Sequence, residues 1–265
     1  MTESGEHLAV LRRLAGAKRP GGDTDVGLFL LGHPGLDGAL GGGFARGRMH
    51  ELFAGEVDDA GGVAGFGAML ALRAQAETPG SAVLWLRTDD AERRSGRFHG
   101  PGFAELGGDP DTVLLATAPD PVTLLRCAAD AARCAGLGAV VVEGWGRFPA
   151  LDLTASRRLT LAAEKSGATV LMLRIVAGPG PGAAETRWAV RSAASSALEA
   201  NAPGPAVLDI ELLRRRAGPS GMRWHVEWDR DRCAFREPAL SGAVLPFHSN
   251  GSAEDPGAGA LRSTA

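Results

Sequence analysis

Short apolar runs and amphipathic stretches alternate through the middle of this chain. MHELFA (49–54), AVLWLR (82–87), TVLLAT (112–117), AVVVE (139–143) and TVLMLR (169–174) are apolar runs of strand length. Continuous runs of this kind predict strands of a parallel sheet covered on both faces. Between them, VAGFGAMLALRAQA (63–76) spaces Phe66, Met69, Leu70 and Arg73 at helical intervals. PVTLLRCAADAARCAG (121–136) places Leu124, Cys127, Ala128, Ala131 and Cys134 on one helical face, where both cysteines read as small core residues. TASRRLTLAAEKSG (154–167) predicts a third helix, with Thr154 as its N-cap and Gly167 as its stop.

The final third changes character. TRWAVRSA (186–193), VLDIELLRRR (207–216) and MRWHVEWD (222–229) are strand candidates with no long helix between them. The turn cluster AGPSG (217–221) predicts an antiparallel hairpin from the last two. In MRWHVEWD, Trp224, Val226 and Trp228 share one strand face and read as core, while His225 and Glu227 share the other. GPGPG (178–182) reads as a mobile loop. At the start, Leu8, Leu11 and Leu14 predict a short amphipathic helix followed by a Gly-rich link. The expected organisation is a helix and linker over 1–25, one α/β domain over 26–245, and a disordered Gly/Ser/Ala-rich tail over 246–265.

Composition narrows the class. The chain has 265 residues, 45% hydrophobic and 22% charged, with a net charge of −3. That balance excludes a protein that coats nucleic acid by bulk charge. No run has the length or apolarity of a membrane span, the first residues carry no signal-peptide pattern, and three cysteines without a CxxC pair suit reduced thiols. A cytoplasmic protein with no membrane contact is expected. The six histidines show no metal spacing with the cysteines, so no metal is expected either.

Chemistry in an open parallel sheet belongs at the carboxyl ends of strands, where a strand turns into a helix. The first such turn is AGEVDDAGGVAG (54–65). A phosphate loop of the form GxxxxGK[ST] needs backbone N–H groups around phosphate, a lysine on the outer phosphates and a hydroxyl for magnesium. Counted from Gly55 or from Glu56, the last positions fall on Ala60, Gly61, Gly62 or Val63, so lysine and hydroxyl are both missing. The two lysines of the chain are Lys18 and Lys165, and neither can serve this turn. The turn instead carries Glu56, Asp58 and Asp59. Like charges about 4 Å apart repel by roughly 1 kcal/mol in water and roughly 4 kcal/mol at an effective dielectric of 20. The carboxylates would oppose a triphosphate, and they also fit an acidic surface loop at a helix N-terminus.

The stretch LGHPGLDGALGGGFARGRMHELFAGE (31–56) resembles the beginning of a RecA-type core: Leu36-Asp37, the turn Gly41-Gly42-Gly43, then Gly47-Arg48 and a strand leading to the phosphate loop. With ELGGDPDTVLLATAPDP, AVVVEGWG, LTASRRLTLAAEKSGATVLMLR, AETRWAV and MRWHVEW in that order, the chain resembles the ImuA family over about 30–245. The resemblance implies a RecA-like core: a mostly parallel sheet flanked by helices, with a C-terminal antiparallel hairpin. It also implies an accessory role in SOS mutagenesis and translesion synthesis. The partners it implies are ImuB (a Y-family polymerase relative) and an error-prone DnaE-type polymerase, with RecA as a further candidate.

Carried onto these residues, the phosphate loop falls on a degenerate set: Gly55, Glu56, Asp58, Asp59, Gly61 and Gly62. The recombinase acids fall near Asp89 or Asp90 and on Glu143. With lysine and hydroxyl absent, no catalytic residue and no cofactor are assigned. Glu143, beside Gly144 and Trp145, fits equally as a strand end that hydrogen-bonds local backbone.

Arg157 and Arg158, then Arg174, Arg187 and Arg191 around GPGPG, are candidate partner or DNA contacts, because the corresponding recombinase loop holds single-stranded DNA. They fit equally a solvated or salt-bridged surface. Arg214, Arg215 and Arg216 at the hairpin resemble in position the recombinase residues that reach a neighbouring protomer's nucleotide. The expected function is a non-catalytic accessory protein, against two alternatives: an ATP-dependent, DNA-binding RecA-like ATPase and a SulA-like division inhibitor.

Overall fold

The computed structural model describes residues 27–202 and 204–238. The expected N-terminal helix at Leu8–Leu14 and the tail over 246–265 lie outside those residues. A small ribbon pairs β1 (Leu28–Phe29) with β2 (Phe44–Ala45), around the short helix α1 (Pro34–Ala39). Then come β3 (Met49–Ala54), α2 (Ala60–Ala76), β4 (Ala82–Thr88), α3 (Asp89–Ser95), α4 (Gly100–Glu105), β5 (Val113–Ala118) and α5 (Pro121–Ala131). The chain continues through β6 (Leu137–Trp145), α6 (Leu153–Ser166), β7 (Thr169–Ile175), β8 (Thr186–Ala193), β9 (Val207–Arg215), β10 (Met222–Asp229) and β11 (Ala234–Arg236).

These strands form a nine-stranded sheet in the order β11-β10-β9-β8-β3-β7-β6-β4-β5. From β8 to β5 every pairing is parallel; from β8 through β9 and β10 to β11 every pairing is antiparallel. All five apolar runs are strands, and the β9–β10 hairpin forms as expected.

The two-residue period of the strands explains why the central runs are apolar throughout. On one face Val141, Leu171, Leu173 and Trp188 pack on Phe66, Met69 and Leu70 of α2. On the other, Val140, Val142 and Met172 pack on Leu124 of α5 and Leu159 and Ala163 of α6. Trp228 lies in the first core and Trp224 packs against it, as the alternation in β10 implies.

Several local expectations are corrected. β5 is an edge strand, and its Leu115 is 53% exposed rather than covered. α5 ends at Ala131, so Cys134 lies beyond the helix, and Cys127 is exposed, off the buried stripe of Leu124, Leu125 and Ala128. The N-cap of α6 is Asp152, whose Oδ1 accepts from Ala155 N at 2.7 Å; Thr154 is already inside the helix. Gly167 does end that helix, in the left-handed region at φ 83°. Among the described residues no helix is long and apolar enough to cross a membrane.

Candidate functional site

β3 lies in the middle of the sheet between β7 and β8, parallel to both, and β8 is the strand at which the pairing turns antiparallel. After Ala54 the chain passes Gly55 and Glu56, makes one 3-10 turn over Val57–Asp59, and enters α2. A helix start at this place has backbone N–H groups without intrahelical partners, the raw material of an anion site. What surrounds it here is acidic. Glu56 and Asp58 are exposed on the turn. Asp59 crosses to β8, where its Oδ1 accepts the backbone N–H of Ser192 at 2.9 Å. Ser192 also closes on the first turn of α2: a Cβ on Gly62 would lie 2.7 Å from its Oγ. The residues of this turn do not fit a nucleotide triphosphate with magnesium.

The acids singled out by the resemblance, Asp89 or Asp90 and Glu143, differ in their surroundings from the turn after β3. Asp89 and Asp90 occupy the exposed first turn of α3. Asp90 accepts from Arg94 Nε at 2.8 Å and pairs with Arg93, contacts that hold its carboxyl below the ordinary value. Glu143 is buried, and its partners are not local backbone. Its Oε1 accepts from the indole N–H of Trp145 at 2.7 Å and its Oε2 from that of Trp85 at 3.2 Å.

Those two indoles belong to a cavity of about 540 Å³ at the carboxyl ends of β4, β6 and β7, beside the start of α2. Trp85, Phe98, Phe103 and Trp145 supply its aromatic walls, and Ala64 and Gly65 of α2 face them. Arg94, Arg97 and His99 also line it. The volume is that of an ordinary ligand pocket. Arg87, at its edge, is buried and donates to Glu92 Oε1 at 2.9 Å and to Gly96 O at 2.8 Å. Sequence reasoning missed this cavity; the signal available was the clustering of aromatics in GRFHGPGF and EGWG.

No family model matches the chain. Two relatives described as "Protein ImuA", from two strains of Caulobacter vibrioides, are each 33% identical to it over 224 residues, covering 79% of this chain and 80% of theirs. The chain belongs to the ImuA family. The crystal structure of the RadB recombinase superposes with a TM-score of 0.52 at 16% identity, covering 80% of this chain and all of RadB. The fold is therefore RecA-like, with a mostly parallel sheet and C-terminal antiparallel strands, as the ImuA resemblance implied.

The arginines of this ImuA-family chain divide into two sets. Arg174 and Arg187 are corrected: they do not form part of an exposed stripe. Both are buried, and both bond to Glu51 in the middle of β3, Arg187 Nε to Oε2 at 2.6 Å and Arg174 Nη1 to Oε1 at 3.5 Å. Burial pulls the Arg174 guanidinium below its ordinary value, against the opposing pull of Glu51. Arg174 also stacks on Phe53, 5.7 Å from the ring centre. Arg215 is half-buried and donates to Ala39 O at 2.9 Å. Arg157, Arg158, Arg191, Arg214 and Arg216 are exposed.

Glu51 was not among the candidates from sequence; a single carboxylate inside an apolar run is the signal that could have found it. At the start of the same strand His50 is fully buried. Its Nε2 donates to Ala45 O at 2.9 Å, and its Nδ1 accepts from Thr186 Oγ1 at 2.7 Å. The Thr186 hydroxyl in turn accepts from Trp188 Nε1, while the carbonyl at Nε2 requires an N–H there and leaves Nδ1 of the neutral imidazole as the acceptor. Burial lowers its pKa to about 3. Among the described residues no group of three His, Cys, Asp or Glu side chains could hold a metal ion.

Proposed function

We propose that this ImuA-family chain is a non-catalytic RecA-like accessory protein of damage-induced mutagenesis, acting by binding other proteins. The partners in this reading are an ImuB-type Y-family polymerase relative and an error-prone DnaE-type polymerase. One observation carries it: the turn between β3 and α2 presents carboxylates, and one of them, Asp59, is bonded to the backbone of β8. A turn arranged in this way repels phosphate instead of gathering it. The net charge of −3 favours protein partners over DNA as the principal ones.

Mixing purified proteins tests the reading. The full chain is expected to capture the ImuB-type protein and not the tubulin-like division protein; the reverse pattern would assign it to the SulA-like class of division inhibitors.

A further inference from the structure

We infer that the aromatic cavity beside α2 is a docking socket for a partner protein, taking an aliphatic or aromatic side chain from a segment with acidic residues next to it. The inference rests on the proposed accessory function and adds the site and the chemistry of the segment it receives.

The depth of the cavity is suited to an apolar group. Its buried polar side chains are already satisfied, Glu143 by two indoles and Arg87 by Glu92 and Gly96. No buried polar group there is left needing a hydrogen bond from a ligand, whereas the indole and phenyl walls gain from contact with apolar atoms. The wall contributed by α2 is made of small residues, and a Cβ on Gly61 or Gly65 would meet nothing within 4 Å. A methyl group added at either position therefore meets no protein atom. Buried aromatic or aliphatic anchors in such sockets are what dominates protein–protein affinity.

The lining sets the charge of the occupant. Arg94 and Arg97 line the cavity, Arg94 bonded to Asp90, and the one acid among the lining residues, Glu143, is bonded to the indoles. Arg97 is exposed and makes no ion pair among the described residues. Carboxylates flanking the anchor would complement that side. Val57, between the exposed carboxylates Glu56 and Asp58, also lines the cavity. Those carboxylates disfavour a nucleotide as occupant.

Two variants test the socket in the full-length protein. Gly65→Leu grows a side chain into the open space without a clash at Cβ, and Arg97→Glu reverses an exposed charge. Affinity for the purified ImuB-type partner is measured for wild type and both variants by calorimetry, with far-UV circular dichroism and melting temperature as fold controls. An array of short peptides from that partner, and from residues 1–26 and 239–265 of this chain, locates the segment bound. The expected result is a loss of about tenfold or more for Gly65→Leu and of several-fold for Arg97→Glu, the latter shrinking as salt is raised. The array is expected to give a partner peptide with Leu, Phe or Trp beside Asp or Glu. Unchanged affinity in both folded variants overturns the socket while leaving the accessory role intact. Binding of this chain's own terminal peptides at the socket overturns it in favour of self-occupation. Failure of the partner to bind wild type removes the underlying reading, as does saturable binding of a labelled ATP analogue that Gly65→Leu abolishes.

Discussion

Asp59, at the end of the turn after the central strand, hydrogen-bonds the backbone N–H of Ser192 on the neighbouring strand at 2.9 Å. The carboxylate therefore joins α2 to the end of β8 across 133 residues of sequence. Asp59→Ala is expected to lower stability by about 1 kcal/mol, the ordinary worth of one such bond. Denaturant unfolding checks the magnitude, and faster hydrogen exchange at the Ser192 amide identifies the bond that was lost.

Glu51 holds two buried guanidiniums. Glu51→Ala leaves Arg174 and Arg187 facing each other with no anion between them, and costs about 3–5 kcal/mol. Converting Arg187 to methionine in the same background is expected to recover part of that loss, because it removes one of the two uncompensated charges. Urea midpoints of the single and double variants measure the recovery. A double variant no more stable than Glu51→Ala would mean the cluster is not held by charge balance.

His50 makes stability depend on pH. Its folded-state pKa is about 3, below the unfolded value of 6.5, so from pH 6.5 down to about 3 the unfolded chain binds a proton that the folded chain does not. The stability that the neutral imidazole contributes is complete above pH 6.5 and is lost as pH falls through that window, at up to about 1.4 kcal/mol per pH unit. His50→Gln should flatten this part of the profile while lowering stability at pH 7.5. Unfolding free energies at pH 7.5, 6 and 5 for both proteins provide the comparison.

Glu143 separates a structural carboxylate from a catalytic one. Glu143→Gln keeps an oxygen to accept an indole N–H and is expected to stay within about 1 kcal/mol of wild type. Glu143→Ala leaves the buried Trp85 indole without an acceptor and is expected to cost about 1–3 kcal/mol. Tryptophan emission reports the change in surroundings, and thermal melting reports the cost.

The elements visible in the sequence were those set by local pattern. Five apolar runs specified five of the strands; β3, β4, β6 and β7 are packed on both faces and so cannot alternate, whereas β5 is apolar in sequence yet lies at the exposed edge. The turn cluster after Arg216 specified the hairpin, and the missing lysine and hydroxyl were legible because phosphate chemistry needs particular residues at fixed spacing. Asp152 was missed as the cap of α6 because Thr154, also a capping type, lies two residues on. Cys127 was misplaced because the buried stripe of α5 runs through Leu124, Leu125 and Ala128, leaving the cysteine off the stripe. The ion pairs of Glu51 join residues 123 and 136 positions apart, and the cavity gathers Phe98 and Phe103 from the connection after α3 against β4 and β6. Contacts of that range have no local signature, so only the folded chain reveals them.

Equilibrium titration of the full-length protein with a fluorescent ATP analogue and magnesium tests most directly whether the turn after β3 has given up nucleotide. The expected result is no saturable signal into the millimolar range. Saturation at micromolar analogue, displaced by unlabelled ATP, would contradict a non-catalytic role and return the chain to the RecA-like ATPases.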